Sequence, residues 1–532
     1  MFSRGFQRGL LPSRAPPVSS ALCNRARARL SNGRIQRWEY VLKAKALLFL
    51  FLFVLTATVA YSANSLSSDT RAVNTTQLAA WLTGGISSSR LARLAQKRGI
   101  ATLPTRNELL QIEAAGADKE LIRVLSSGNA QSAAVGPEIP AALLEATAEA
   151  RQQRYHEAES HLREALHADE SNSALHFALA SMLRQQEQWD EAFDEITRAT
   201  ELMPDLPENH SALAYIFYRS DDGPDAVAEA RTALSLDPQN AEAYQFLGLG
   251  QYATGQFQAA VHAYSESLAR DPDNADTYYD MGIALHADGD LPAAIRAYEQ
   301  AIRLRPAFWE AHSNLGLVLH EQDNLDQAVV EYRLAKQLAP DEASVRNNLG
   351  NTYCDQGNFD AAMEELHELY RQHPDWQQGH ACLASAYMAK KNYDAAVEEL
   401  RLALRVNPTG SAEHRILGQV LLLDNKPEEA LRELRLAVSL NPDSDLAHHL
   451  LGTALFQKQQ IKAAEKEFRE ALRLNASADN HYSLAACLMS LDQYDEALAE
   501  LESAVRLDPE RALYRARREE LLKVMRDSGR TQ

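Results

Sequence analysis

The chain has 532 residues, more than one compact core normally organises, which predicts several domains or a repeat array. Its composition, 45% hydrophobic and 24% charged, favours a folded protein of the all-α class over a disordered one. The net charge of -19 combines a basic amino-terminal tail, residues 1–45, with an acidic remainder, and an acidic body of this kind repels nucleic acid.

The first predicted element is residues 46–63. This segment is uncharged and strongly apolar, and it is just long enough to cross a bilayer as a helix. Because its basic flank lies on the amino-terminal side, the positive-inside rule places that end in the cytoplasm and everything after residue 63 outside it, which is the periplasm in a bacterium. A cleaved signal peptide is the close alternative, and an organelle transit peptide is the third.

Residues 69–128 predict a small module of four short amphipathic helices. Thr105 and Glu108 have the spacing of a capping box, and Asp118 is placed as an N-cap. The module contains neither cysteine nor histidine and few acids, so it offers little for acid–base catalysis. Residues 129–138, rich in small residues, predict a linker.

Internal repetition dominates residues 139–510. A proline recurs every 34 residues, and after one dropped residue near Ala476 the pattern resumes at Pro509, which gives eleven repeats. Each proline ends a helix because it lacks an amide donor and restricts the residue before it. The regularly spaced prolines are Pro204, Pro238, Pro272, Pro306, Pro340, Pro374, Pro408 and Pro442.

Two further positions recur with the prolines. A small residue such as Ala192 stands twelve positions before the proline, where it lets two antiparallel helices approach closely. A Leu-Gly or Leu-Ala pair, such as Leu247-Gly248, recurs in the first helices. Together these positions resemble the tetratricopeptide-repeat (TPR) family. The resemblance implies a right-handed superhelix, an α-solenoid, and residues 511–526 predict a helix that caps it.

The TPR resemblance also implies a concave groove lined by the second, fifth, ninth and twelfth side chains of each repeat, and we call this surface the groove face. Aromatic residues and methionine are favoured anchors at interfaces, so the groove face is a predicted track for proteins or extended peptides. The alternative is that some of these side chains pack against the neighbouring repeat. The candidates are Tyr218, Tyr252, Tyr279, His286, His320 and Met388, with Cys354, Leu422, Phe456 and Met489 at further twelfth positions.

Four asparagines complete the candidate set: Asn314, Asn347, Asn348 and Asn351. Asparagine amides can bond a ligand's backbone, and the run is similar to the asparagine ladder of the TPR superhelix in O-linked N-acetylglucosamine transferases. Ordinary surface asparagines are the alternative reading. A carboxylate clamp of the chaperone-binding kind needs several lysines and asparagines at groove positions. That set is missing here, apart from the basic residues Arg346 and Arg415.

Histidine recurs at the fourth position of seven repeats. Equivalent residues on successive helices are too far apart to share a metal ion, so we expect a packing role and no metal site. A diffuse response to pH is the alternative. These residues are His176, His210, His312, His380, His414, His448 and His481.

The four cysteines, Cys23, Cys354, Cys382 and Cys487, are too widely spaced for a CxxC redox or zinc motif and too few for a disulfide framework. They say little about the compartment. No cofactor is expected.

The sequence therefore predicts a non-enzymatic scaffold that binds polypeptides in its groove and is tethered to, or exported across, a membrane. The module resembles one found ahead of TPR arrays in some bacterial envelope proteins, which indicates an envelope-associated member. The alternative function is a regulatory or targeting subunit of an enzyme or of an envelope-assembly or secretion complex.

Overall fold

The computed structural model describes residues 72–127, 130–132 and 138–527. The predicted membrane segment 46–63 and the basic tail before it lie outside the described residues. Among the helices that are described, none is both long and apolar enough to cross a bilayer. The described chain divides into two compact parts, which we call the amino-terminal lobe, up to residue 306, and the carboxy-terminal lobe, from residue 307.

The amino-terminal lobe begins with the predicted module. Its helices start at polar caps: Asn74 and Gln77 form one capping box, and Thr105 and Glu108 form the predicted one, with Thr105 N donating to Glu108 Oε2 at 2.7 Å. The module consists of α1 (Thr75–Thr83), α2 (Ser88–Arg98), β1 (Ile100–Thr102), α3 (Arg106–Ala114), α4 (Lys119–Ser127) and β2 (Ala130–Ser132).

The described part of the chain is all-α, as predicted, apart from two three-residue strands that the sequence did not predict. β1 and β2 pair in parallel, with Ile100 opposite Ala130, and β2 lies within the segment predicted as a linker. Strands of three residues are too short to show the alternating pattern by which a strand is recognised in a sequence. The module therefore extends into residues 129–138.

Five helical hairpins complete the amino-terminal lobe, and in each the second helix packs against the first. We number the repeats 1 to 5. Their helices are α5 (Ala141–Arg151), α6 (Tyr155–Ala168), α7 (Ser173–Gln185), α8 (Trp189–Leu202), α9 (Pro207–Arg219), α10 (Gly223–Leu236), α11 (Ala241–Ala253), α12 (Phe257–Leu268), α13 (Ala275–Asp288) and α14 (Leu291–Leu304).

The carboxy-terminal lobe holds repeats 6 to 11 and a final helix that packs on the last hairpin. Its helices are α15 (Trp309–Glu321), α16 (Leu325–Leu338), α17 (Ala343–Asp355), α18 (Phe359–Gln372), α19 (His380–Ala389), α20 (Tyr393–Val406), α21 (Ser411–Leu423), α22 (Pro427–Leu440), α23 (Asp445–Gln457), α24 (Ile461–Leu474), α25 (Ala478–Ser490), α26 (Tyr494–Leu507) and α27 (Ala512–Asp527).

The recurring small residues explain how each hairpin closes. Ala192 and Ala226 are fully buried in their second helices. In the first helices the glycine of the Leu-Gly pair receives a large side chain of the second helix. A Cβ at Gly248 would lie only 2.5 Å from the Tyr264 ring, and one at Gly418 would lie even closer to the Leu434 side chain. The hairpin core is therefore a large side chain seated against bare backbone.

Repeat 8 is irregular at its first helix. α19 has ten residues, where α17 has thirteen, and it begins after Gly379, which adopts φ 96°. A disulfide joins Cys354 of α17 to Cys382 of α19, with the two Cα atoms 5.9 Å apart. The sequence has too few cysteines for a disulfide framework and did not predict this single bond. Their spacing shows no motif because the bond joins neighbouring repeats.

Candidate partner-binding face

The groove face of repeats 1 and 2 is covered by the amino-terminal module. α1 packs against α5 and α7. The hydroxyls of Thr83 and Thr147, a ninth-position residue of repeat 1, are hydrogen-bonded at 2.6 Å. At the end of α1 a Cβ on Gly84 would lie 2.7 Å from the ring of Phe177, a fifth-position residue of repeat 2. The groove positions implied by the family resemblance are therefore occupied in repeats 1 and 2. The segment that occupies them is the amino-terminal module of the same chain.

Two arginines of α2 extend this contact to repeats 3 and 4. Arg90 lies 2.9 Å from Glu208 and 3.5 Å from Glu242, which are the second-position residues of those repeats. Arg98 pairs with Asp205 at 2.8 Å, and its guanidinium also donates to the Asp205 carbonyl. Burial raises the pKa of the Glu208 carboxyl, and the Arg90 guanidinium opposes that rise.

A cavity of about 360 Å³ remains between the module and the repeats. Its walls combine small or apolar residues such as Gly84 and Ala212 with polar ones such as Thr147. Glu208 also lines it, and the Glu208 Oε2 atom has no hydrogen-bond partner among the described residues. No group of histidine, cysteine and acidic side chains in the described part of the chain is arranged to hold a metal ion.

An aromatic cluster follows the module on the groove face of repeats 2 to 4. Tyr215, a ninth-position residue, lies at its centre, with ring centroids 6.5 Å from Tyr218 and 5.2 Å from Phe246. The guanidinium of Arg184, a twelfth-position residue, sits 4.8 Å over the Tyr215 ring. Sequence reasoning named Tyr218 and missed Tyr215, although the ninth position was part of the definition of the groove face.

Tyr252 and His286 continue the surface into repeats 4 and 5. Both are half-buried, and Tyr252 packs 5.6 Å from Phe257 with its hydroxyl pKa raised by burial. Tyr279 is different, because only 1% of it is exposed and its ring lies against Tyr298. The prediction that Tyr279 contacts a partner is therefore corrected: it is a core residue of its hairpin.

The remaining candidates lie in the carboxy-terminal lobe, where contacts between neighbouring repeats hold many of them. His320 Nε2 is 2.8 Å from Asp355 of the next repeat. Met388 is half-buried against the hydrophobic core. His449, a fifth-position residue that was not among the candidates, is hydrogen-bonded to Asn480 of the next repeat at 2.7 Å. These contacts match the alternative that groove-face positions can pack against a neighbour.

Two of the four asparagines are buried. Asn314 is 1% exposed and Asn347 is 4% exposed, so neither can present its amide to a partner without unpacking the helices. This burial corrects their assignment to a ligand ladder. Asn348 and Asn351 remain half-buried and accessible at one edge.

The fourth-position histidines form a repeated structural bond. In each of the seven repeats Nδ1 lies within bonding distance of a glutamate oxygen nineteen residues later, on the second helix, as in His176 with Glu195 and His210 with Glu229. In His176, His210, His414 and His448, Nε2 also meets a backbone carbonyl six residues earlier. In repeat 7, Arg346 makes the equivalent bonds to Glu365 and to a carbonyl.

Two of these histidines, His176 and His210, gain a proton more readily than free imidazole. Burial acts to lower the pKa of His176, but the bonds to Glu195 and to the Glu170 carbonyl outweigh it and the pKa is raised. The same balance, with Glu229 and the Pro204 carbonyl, raises the pKa of His210. Each glutamate acceptor lies on the second helix of the same repeat, so the histidines tie each first helix to its second helix.

Comparisons with known families agree with this architecture. Models described as TPR repeat match residues 248–289 and 284–323, and models described as tetratricopeptide repeat match 143–207, 310–342 and 353–419. A model described as anaphase-promoting complex, cyclosome, subunit 3 matches residues 434–504. No curated protein matches the chain significantly.

Many solved structures share the repeat. The APC/C hetero-tetramer Cut9-Hcn1 is 18% identical over 69% of this chain and 73% of that chain, with a TM-score of 0.43. Yeast Tom70 is 15% identical over 72% and 94%, with a TM-score of 0.33. YrrB, a TPR protein with an unusual peptide-binding site, is 24% identical over 37% and 97%, with a TM-score of 0.31.

Proposed function

We propose, since this chain is a tetratricopeptide-repeat protein, that it is a scaffold whose partner is a polypeptide bound on the groove face of repeats 3 to 5. TPR scaffolds are typically protein-interaction modules. Binding lies on the ninth- and twelfth-position residues of these repeats, whereas the module contacts the second-position residues Glu208 and Glu242.

The observation that carries this location is the aromatic surface centred on Tyr215. Tyr218 and Tyr252 pack against the same cluster and are half-buried, so each presents part of its ring to solvent. His286 is the half-buried twelfth-position residue of the next repeat. Aromatic side chains of this kind supply large contact area with little loss of side-chain entropy, which is why they dominate binding energy at interfaces. An extended peptide or a helix can lie across them.

We also propose that the repeats lie outside the cytoplasm and that residues 46–63 tether them to a membrane, in the manner of a bacterial envelope protein. The apolar segment and its basic flank support the tether, with signal cleavage as the alternative. The disulfide between Cys354 and Cys382 supports the compartment, because such bonds persist in oxidising surroundings. Fractionation with labelling of exposed lysines distinguishes these topologies.

Site-specific photocrosslinking tests the binding face. A benzophenone amino acid placed at Tyr218 or Tyr252 in the full chain, in its native membrane, should give the same discrete adduct from both positions. Matched controls carry the probe at Arg231 and Gln258, which are exposed on the second helices of the same repeats. Replacing Tyr218, Tyr252 and His286 together with alanine should abolish capture while helicity stays near wild type. Equal adducts from the control positions would contradict the assignment.

A further inference from the structure

The module and the repeats share one hydrophobic cluster. It runs without interruption from Leu78 and Trp81 of α1, both fully buried, to Leu143 and Phe177 of repeats 1 and 2. Gly84 allows α1 to end against the Phe177 ring, since any larger side chain would clash there. The apolar side of α1 thus fits the groove face closely, as the apolar side of a bound helix does in a helix-in-groove complex.

Charge fixes the position of α2 on the same face. The Arg98 side chain is only 6% exposed, and the Arg90 side chain is 14% exposed while its partner Glu208 is 9% exposed. A buried charge is costly unless it is paired, so removing either partner leaves an unpaired charge in the contact. Glu208 and Glu242 stand at equivalent positions of successive repeats, and both point their carboxylates at Arg90.

From these contacts we infer that the groove face of repeats 1 and 2, together with Glu208 and Glu242 of the next two repeats, is a docking surface for a helical segment with an apolar side and two arginines. The module of this chain is its occupant. While the module is docked, an outside polypeptide is excluded from this stretch. A partner with the same pattern of apolar residues and arginines competes with the module for it. This inference goes beyond the proposed function, because it holds whether or not repeats 3 to 5 bind a partner.

Cleavage of the connecting segment tests the docking directly. A protease site inserted within residues 133–137 of the full chain leaves both strands with the module, and after cleavage the wild-type halves should co-elute on size exclusion at physiological salt. Arg90→Glu combined with Arg98→Glu should separate them. The matched control is Arg93→Glu with Lys97→Glu, which makes the same charge change at exposed positions of α2 and should co-elute as wild type does.

Variants on the repeat side separate loss of docking from misfolding of the module. Asp205→Asn with Glu208→Gln leaves every module residue unchanged and should weaken association at least tenfold. Wild-type amino-terminal half, fluorescently labelled and added back, should bind the repeat half obtained from Arg90→Glu with Arg98→Glu, whose groove face is intact. Any of three results would overturn the inference. The halves of the Arg90→Glu, Arg98→Glu chain could still co-elute, the halves of the control variant could separate equally, or the labelled wild-type half could fail to bind.

Discussion

The groove face is used differently in the two lobes. In the amino-terminal lobe its side chains contact the module through Thr147, Phe177 and Glu208. In the carboxy-terminal lobe they join one repeat to the next, as His320 does with Asp355 and as the Cys354–Cys382 disulfide does. The difference shows that groove-face residues can have different roles in different repeats, because the small residues that close each hairpin lie at other positions of the repeat. One frame therefore supports both docking and reinforcement of the stack.

The largest expected effect comes from emptying a buried core site in one lobe at a time. Phe177→Ala empties a site shared by the module and repeat 2, and it should cost about 3–5 kcal/mol of unfolding free energy in the amino-terminal lobe alone. Phe468→Ala, at a buried site of the other lobe, is the matched variant. Hydrogen exchange read separately for each lobe measures both. If either variant reduced hydrogen-exchange protection equally in both lobes, the two lobes would not have separate cores.

The disulfide should matter only in the carboxy-terminal lobe. Replacing both Cys354 and Cys382 with serine releases a link that closes 28 residues of chain, and we expect a loss of about 2–4 kcal/mol in unfolding free energy. Denaturant unfolding with and without reductant checks this. Reductant should lower the stability of the wild-type chain to that of the variant and leave the variant unchanged. A wild-type chain insensitive to reductant would refute the link.

The histidine bonds should make stability depend on pH. Because the folded-state pKa values of His176 and His210 are raised, their contribution is fully present below the ordinary histidine value of 6.5 and is lost as pH rises through the raised values. His176 faces Glu195 and Arg198 from the second helix, and His210 faces Glu229. His176→Gln with His210→Gln should flatten this dependence, measured by denaturant midpoints across neutral pH.

The control for that pH series is His262→Gln, which changes an exposed histidine of the same lobe. It should leave the slope of stability against pH unchanged. A slope that flattens equally in the control would assign the effect to general charge rather than to the bonds between helices.

The smallest expected effect concerns the turn within each repeat, a feature that both lobes have. The turn between the two helices of a repeat needs a positive φ, which Lys391 adopts at 59° in repeat 8 and Glu187 adopts at 58° in repeat 2. Lys391→Gly and Glu187→Gly should each add up to about 1 kcal/mol of stability, because glycine has no Cβ to strain. Thermal unfolding compares the two gains. A gain in one lobe only would mean that the turns are not equivalent.

The repeat frame could be predicted from the sequence because its determinants are local. The prolines end helices, and the small residues let helices approach, so a fixed period of 34 residues suffices to place each hairpin. The capping box formed by Thr105 and Glu108 could be predicted for the same reason, since the two residues are three positions apart in the sequence. The TPR prediction is confirmed by the family models.

The module's docking could not be predicted because its contacts are not local. Arg98 and Asp205 are 107 residues apart, and no sequence period links them. The disulfide was missed for the same reason. Tyr279, Asn314 and Asn347 were misassigned because the side on which a helical residue is buried depends on how neighbouring helices rotate, which composition does not record. The membrane segment 46–63 stays a prediction.

A cysteine pair at the docking contact tests the central claim most directly. Thr83 and Thr147 touch through their hydroxyls, so Thr83→Cys with Thr147→Cys should form a disulfide within one chain under mild oxidation. Mass spectrometry of the non-reduced digest would detect the joined peptides. Near-complete linkage within monomers is the predicted result. Absence of linkage, or linkage only between two chains, would contradict the docking of the module on its own groove face.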